Sequence, residues 1–209
     1  MSAIELYNTK TVPLSEIVIK RSRLSKTAKV ISDVFSPPVL GAACIVVAAI
    51  EVAMPGAWLW VVSFLALTVG IPTGYVLLLV RKGKVSDFHI PIRRQRIRPM
   101  ILMVGMALLS FGLLLTLHPP TIFLGLVLIG LGQLLLLFLI TLKWKISGHA
   151  LAASSFCSLC TVVVGASAWL TFLLVPVVVW SRLRLRRHTF MQTAAGTALG
   201  LSMILLVLI

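Results

Sequence analysis

The chain reads as an all-α protein, a polytopic transmembrane helical bundle of about six to seven spans, and three observations predict it. Across 209 residues, 59% are hydrophobic and only 11% charged, with a mean hydropathy of +1.09. The apolar residues gather into runs about as long as a hydrocarbon core is thick, and the charges fall between those runs. A water-soluble domain of this length could not cover its surface with so few polar groups.

The first element is a basic N-terminal segment, residues 1–36. It has no apolar stretch followed by a small-residue cleavage site, so no cleavable signal peptide is expected. Leu14, Ile17, Val18, Leu24, Ala28, Ile31 and Phe35 recur at helical spacing while Lys20, Arg23, Lys26 and Lys29 take other faces. That pattern predicts an amphipathic helix lying on the inner leaflet; a basic flank that only sets topology is the plainer alternative.

The transmembrane domain follows over residues 37–209. Apolar runs at 37–54, 57–80, 100–117 and 121–142 are each one crossing. The stretch 150–180 is too long for one crossing and short for two. Gly165-Ala166-Ser167 marks a turn in its middle, so two short helices are expected, followed by a last span over 190–209. With seven spans, all 19 Lys and Arg residues fall on one face. The opposite face keeps Met54-Pro55-Gly56, His118-Pro119-Pro120 and Gly165-Ala166-Ser167, without formal charge. The positive-inside rule makes the basic face cytoplasmic, and the protein a multi-pass protein of the cell membrane. The formal charge of +14 then points to anionic headgroups and phosphorylated lipids, not to nucleic acid.

Two polar strings interrupt the apolar pattern at span ends on that face. Ser147-Gly148-His149 leads into the fifth span: glycine lets backbone amides approach an anion, serine offers a hydroxyl, and a helix start favours negative charge. Ser181-Arg182, with His188 six residues after Arg182 and Gln192 beyond, closes the sixth span and opens the seventh. Arg182 can fork onto phosphate oxygens. Two imidazoles with fixed cationic and hydroxyl donors are the parts of phosphoryl transfer: one attacks phosphorus and the other protonates the leaving oxygen.

Together these strings resemble the phosphatidic acid phosphatase type 2 superfamily of membrane lipid phosphatases. Its second signature is Pro-Ser-Gly-His, where Ile146 stands for the proline. Its third is Ser-Arg, five residues, His, three residues, Asp. Ser181, Arg182 and His188 match that spacing with Gln192 for the aspartate, as in the polyisoprenoid diphosphatase-like branch. The resemblance implies His188 as nucleophile, His149 as general acid, Arg182, Ser147 and the Gly148 amide as phosphate ligands, and Gln192 as the residue that orients His188. The first signature, Lys, six residues, Arg-Pro, is met at Arg98-Pro99, but Pro91 stands at the lysine position. Lys84, Arg93 or Arg94 from the same loop could supply the missing cation.

The expected activity is hydrolysis of a lipid phosphate or prenyl diphosphate through a phosphohistidine, without cofactor or metal. The tail stays in the bilayer. A lipid phosphotransferase and a catalytically silent accessory subunit are the rivals, the latter favoured by Ile146 and the missing lysine. Other residues have plainer readings. Cys157 and Cys160 form a CxxC without the further ligands zinc needs, and with Cys44 are expected to pack as small hydrophobes. Glu51 snorkels, His118 sits on the wrong face, and His89 sits on the right one, where it could touch substrate, a solvated loop histidine being the plainer reading. Trp58, Trp60, Trp144, Trp169 and Trp180 anchor span ends at headgroup level.

Overall fold

The computed structural model describes residues 14–52, 57–90, 92–116, 118 and 120–202, with side chains from residue 23 onward except at 52, 57 and 122. The described elements are helical: α1 Leu14–Val34, α2 Pro37–Val52, α3 Ala57–Leu65, α4 Ile71–Arg81, α5 Arg93–Leu115, α6 Thr121–Lys143, α7 Gly148–Val164, α8 Leu174–Arg184 and α9 Phe190–Leu201. A π-helical turn, Ala66–Gly70, makes α3 and α4 continuous, and a 3₁₀ segment, Ala166–Leu173, leads into α8.

Four stretches are long and apolar enough to cross a membrane: Trp58–Arg81, Arg93–Leu115, Phe123–Lys143 and Ala166–Arg184. A fifth arises if Arg23–Val34 and Pro37–Glu51, bent by 42°, count as one. The described residues thus hold four to five candidate spans, fewer than the six or seven expected. The shortfall has a physical source: Gly148–Val164 is apolar but only 17 residues long, about 25 Å at about 1.5 Å per residue. Of the last run, α9 is described over 12 residues, and the remainder lies outside the described residues. The turn expected at 165–167 is made by Gly165 alone, whose φ of 98° suits a residue without a Cβ.

The N-terminal helix packs differently from its apolar stripe. Among its described side chains Ala28 and Ser32, at i and i+4, are the buried ones, and Ser36 just past its end is buried too, while Leu24 is 40% exposed. Small residues let α1 lie close to α8, the element it contacts most. The side chains of Leu14, Ile17 and Val18 lie outside the described residues. A second departure is Trp60, which is buried and sits 4.8 Å, ring to ring, from both Phe64 and Phe123 in a cluster with Val61, Leu114 and Leu126. Trp58, Trp144, Trp169 and Trp180 are exposed as expected of anchors, and so are Glu51 and His118.

The closest packing in the molecule joins α7 and α9. A Cβ on Gly196 would stand 2.4 Å from the Ser147 carbonyl oxygen, and one on Gly200 would stand 2.4 Å from that of Leu151 and 2.0 Å from Ser154 Oγ. Thr193, Gly196 and Gly200 line the buried face of α9. Close backbone approach of this kind, through small residues, holds apolar helices together where burial alone gives little drive. The two helices are also stitched directly, the Ser147 N–H donating to the Gln192 carbonyl at 3.0 Å. Substituting Gly196 or Gly200 by alanine forces the backbones apart, and overpacking of this kind costs roughly 1–3 kcal/mol. Thermal unfolding in detergent should show a lowered midpoint for both variants and no change for Gly105→Ala, where a Cβ meets nothing within 4 Å.

Candidate active site

Helix caps set both motif strings in place. Ser147 is the N-cap of α7, its Oγ accepting from the Ala150 N–H at 3.3 Å. Its own N–H is taken by Gln192, so the Gly148 and His149 amides stand at the helix start, where helical geometry provides no acceptor. Thr189 caps α9 in a capping box: the Gln192 N–H donates to Thr189 Oγ1, and the Thr189 N–H donates to Gln192 Oε1 at 3.2 Å.

That box decides the chemistry of His188. A backbone N–H can only donate, so the Gln192 atom facing Thr189 is its carbonyl oxygen. The same Oε1 lies 3.1 Å from His188 Nδ1. The imidazole therefore carries its proton on Nδ1, and Nε2 keeps a lone pair. Burial, with the charges of Arg96, Lys145 and Arg182 adding to it, pushes the His188 ring down to about 3, against the pull of the Gln192 bond.

The loop that brings His188 back turns tightly after α8. The Arg187 N–H donates to the Arg182 carbonyl at 3.1 Å, and Arg186 takes a left-handed φ of 53°. Arg182, 1% exposed, donates from NH1 to Ser32 Oγ of α1 at 2.5 Å, and Ser32 Oγ lies 3.4 Å from His149 Nε2. Arg182 Nε and Ser181 Oγ are buried without a protein partner. Orphaned donors of this kind call for an acceptor such as an anion oxygen.

The first-signature region resolves differently from expectation. Arg98, Arg94 and Lys84 are exposed, and none of them lines the cavity described below. Arg93 donates to the carbonyls of Thr141 and Leu142 at the end of α6. The arginine that faces the site is Arg96, two residues before Arg98 and so on the other side of α5. Its guanidinium donates to the carbonyls of Ile90 (2.8 Å) and Ile146 (3.2 Å), tying both neighbouring loops to the helix. The sequence signal was available: Arg96, Pro99, Met100, Met103 and Ala107 form one helical stripe on the cavity wall.

Three further residues were missed or undervalued. Lys145 donates to the Arg187 carbonyl and is brought down to about 8 by burial, followed by the charges of Arg96, Arg182 and Arg187. Asp87 pairs with Arg187 at 2.6 Å. Partial burial opposes ionisation of Asp87, but the His89 N–H and Arg187 outweigh it and hold the carboxyl below its usual range. His89, expected in solvent, instead stacks against His149 with ring centroids 5.2 Å apart.

His89, Arg96, Gly148, His149 and His188 line one part of a cavity of about 380 Å³ whose remaining wall is almost wholly apolar. On α6 the lining runs from Leu137 to Phe123, about 20 Å at about 1.5 Å per residue. Thr68, Thr73, Gln133 and Ser155 are the polar exceptions; Gln133 and Ser155 are bonded to each other at 2.8 Å, and Gln133 donates to α9 carbonyls. Among the described residues no three His, Cys, Asp or Glu side chains are grouped as a metal site.

In comparison with known proteins, the chain matches no family model, no curated protein and no solved structure.

Because His188 is held neutral, its ring should report an Nδ1–H tautomer by ¹⁵N NMR down to about pH 4, and titration near 6.5 would contradict the arrangement. The linkage sign follows: between about 6.5, the unfolded value, and about 3 the unfolded chain binds more protons. This residue therefore makes the fold less stable as pH falls through that window.

Proposed function

We propose that the chain is a membrane-embedded phosphatase that hydrolyses a lipid phosphate or prenyl diphosphate through a phosphohistidine. The observation that carries this reading is the doubly accepting Gln192 Oε1, which leaves a neutral, oriented Nε2 on His188 beside Arg96 and His149 at the polar end of an apolar cavity. A nucleophile needs a lone pair and a fixed direction, and this amide supplies both. An amphiphile with one phosphorylated end fits a cavity so divided.

The step is in-line. His188 Nε2 bonds to phosphorus as the bond from phosphorus to the lipid oxygen breaks, and an imidazole gives that oxygen its proton. Water then attacks the phosphohistidine, the N–P bond breaks, and the water's proton returns to the imidazole that was emptied. The family resemblance gives the acid duty to His149. Arg182, Arg96, Lys145 and the α7 amides carry the charge of the equatorial oxygens. In this reading α7 and α9 are short crossings that complete seven spans. The basic loops face the cytoplasm, and substrate enters from the inner leaflet.

Purified protein in detergent should release phosphate from lipid phosphates. His188→Ala should lose on the order of 10⁴-fold or more, together with the acid-labile phosphoryl-enzyme of rapidly quenched turnover. Wild-type protein that releases nothing across phosphatidate, phosphatidylglycerol phosphate and prenyl diphosphates would leave the silent subunit in its place. Acceptor alcohols that divert phosphate into new esters would identify a transferase.

Lys145 near 8 adds a pH signature. As pH rises past about 8 the ammonium is lost and kcat/KM should fall, whereas Lys145→Arg should keep its plateau to higher pH.

A further inference from the structure

We propose that the apolar part of the cavity is a chamber for one hydrocarbon tail, and that its closed far end restricts the substrate to phosphorylated lipids with a single tail of bounded length. This rests on the phosphatase reading above and names its substrate class. The tail enters the bundle, where the sequence suggested that it stays in the bilayer.

The walls lead away from the polar end to a common depth. On α2, α5 and α7 they run from Pro37 to Ala48, from Arg96 to Ala107 and from Gly148 to Leu159, each about 16 Å at about 1.5 Å per residue. On α6 the lining is longer, about 20 Å from Leu137 to Phe123. One leaflet of hydrocarbon is about 15 Å deep, half of a core of about 30 Å. The chamber is thus as deep as a bilayer tail is long.

Packed side chains close the far end. Ala48, Phe123, Leu126, Val127 and Leu159 line the cavity and also belong to the cluster that buries Trp60 and Leu114. Trp60 does not line the cavity; its ring stands 4.8 Å from those of Phe64 and Phe123, which do. This aromatic group is the floor. Along the way, Gln133 gives its N–H groups to the Leu199 and Gly200 carbonyls and its oxygen to Ser155, and the Thr68 hydroxyl donates to the Phe64 carbonyl at 2.8 Å. Those polar groups are spent on the protein, so the wall suits hydrocarbon.

Volume decides between one tail and two. A methylene group fills about as much space as a water molecule, about 30 Å³, so a cavity of about 380 Å³ holds on the order of a dozen carbons. A second long chain has no room. Because a tail leaves surroundings as apolar as the chamber, entry gains little, and selection works by exclusion. A chain with carbons to spare at the floor must push packed side chains apart.

Gly130 gives the means to shorten the chamber. It stands on the α6 wall between Val127 and Leu134, about 10 Å from Leu137, and a Cβ there meets nothing within 4 Å.

The test compares hexyl, dodecyl and octadecyl phosphate with a two-chain phosphatidate, at one mole fraction in detergent. Wild type should cleave the hexyl and dodecyl esters with kcat/KM within about threefold of each other, and octadecyl phosphate and phosphatidate at least roughly 10-fold more slowly. Gly130→Leu should lose roughly 10-fold or more on the dodecyl ester and less than about threefold on the hexyl ester, whose retained turnover shows that the variant folds. Gly132→Leu, on the same helix but off the cavity wall, should keep the wild-type profile. Octadecyl phosphate or phosphatidate cleaved as fast as dodecyl phosphate, or a Gly130→Leu loss equal on the hexyl and dodecyl esters, overturns the proposal and leaves the phosphatase reading intact. A wild type that cleaves none of the esters brings down the phosphatase reading, and binding of alkyl phosphonates then decides the chamber. Dodecyl phosphonate bound in preference to octadecyl phosphonate, and lost in Gly130→Leu, upholds it; binding without regard to length, or none, ends it.

Discussion

The site depends on the contact between two short helices. Gly196 and Gly200 let the backbone of α9 press onto that of α7, closer than any side chain would permit. At the end of that contact the Ser147 N–H reaches the Gln192 carbonyl. Those two residues belong to the two polar strings, 45 positions apart in sequence. One hydrogen bond and two absent methyl groups thus fix the distance between the helix start that carries His149 and the cap that orients His188. In lipid, where apolar surface gains little by meeting apolar surface, shape and hydrogen bonding supply what the hydrophobic effect supplies in water.

Around that contact the cations serve as structural ties before they serve as charge. Arg96 holds Ile90 and Ile146, Lys145 holds the Arg187 carbonyl, Arg93 closes α6, and Arg187 meets Asp87. Arg96, Lys145 and Arg93 give donors to backbone carbonyls that would otherwise stay open, which leaves their charge in place, and Arg187 meets a counter-charge in Asp87. Gathering such charge beside an apolar cavity is costly, and Arg182 Nε and Ser181 Oγ add buried polar atoms without a protein partner.

Much of this was legible in the chain because it is local. Helix runs follow from hydropathy, Gly165 from its need for positive φ, and the Ser-Gly-His and Ser-Arg strings from residue type and spacing. What was not legible is tertiary. A linear motif points to Arg98, the arginine next to proline, while the helix turns Arg96 and not Arg98 toward the cavity. Trp60 was read as an anchor because it stands near a span end; Phe123, 63 positions on, buries it. Ser32 and Asp33 went unremarked on a helix judged by its large apolar residues, although α1 meets α8 through its small ones. The close approach at Gly196 and Gly200 is tertiary as well, since only the fold places α7 against them.

The three cavity histidines, His89, His149 and His188, differ in what their rings meet. His188 meets an amide oxygen, which accepts one proton's bond and offers no negative charge, so the ring stays neutral and keeps its lone pair. His89 stands between two carboxylates, yet burial, with Arg182 and Arg187 adding to it, outweighs Asp33 and Asp87 and holds the ring below its ordinary value. A site that needs a base and an acid at one pH separates its groups by such environments. An aspartate at position 192 would set a negative charge beside His188 Nδ1 and draw a second proton onto the ring, whereas the glutamine oxygen orients the same ring and leaves it neutral.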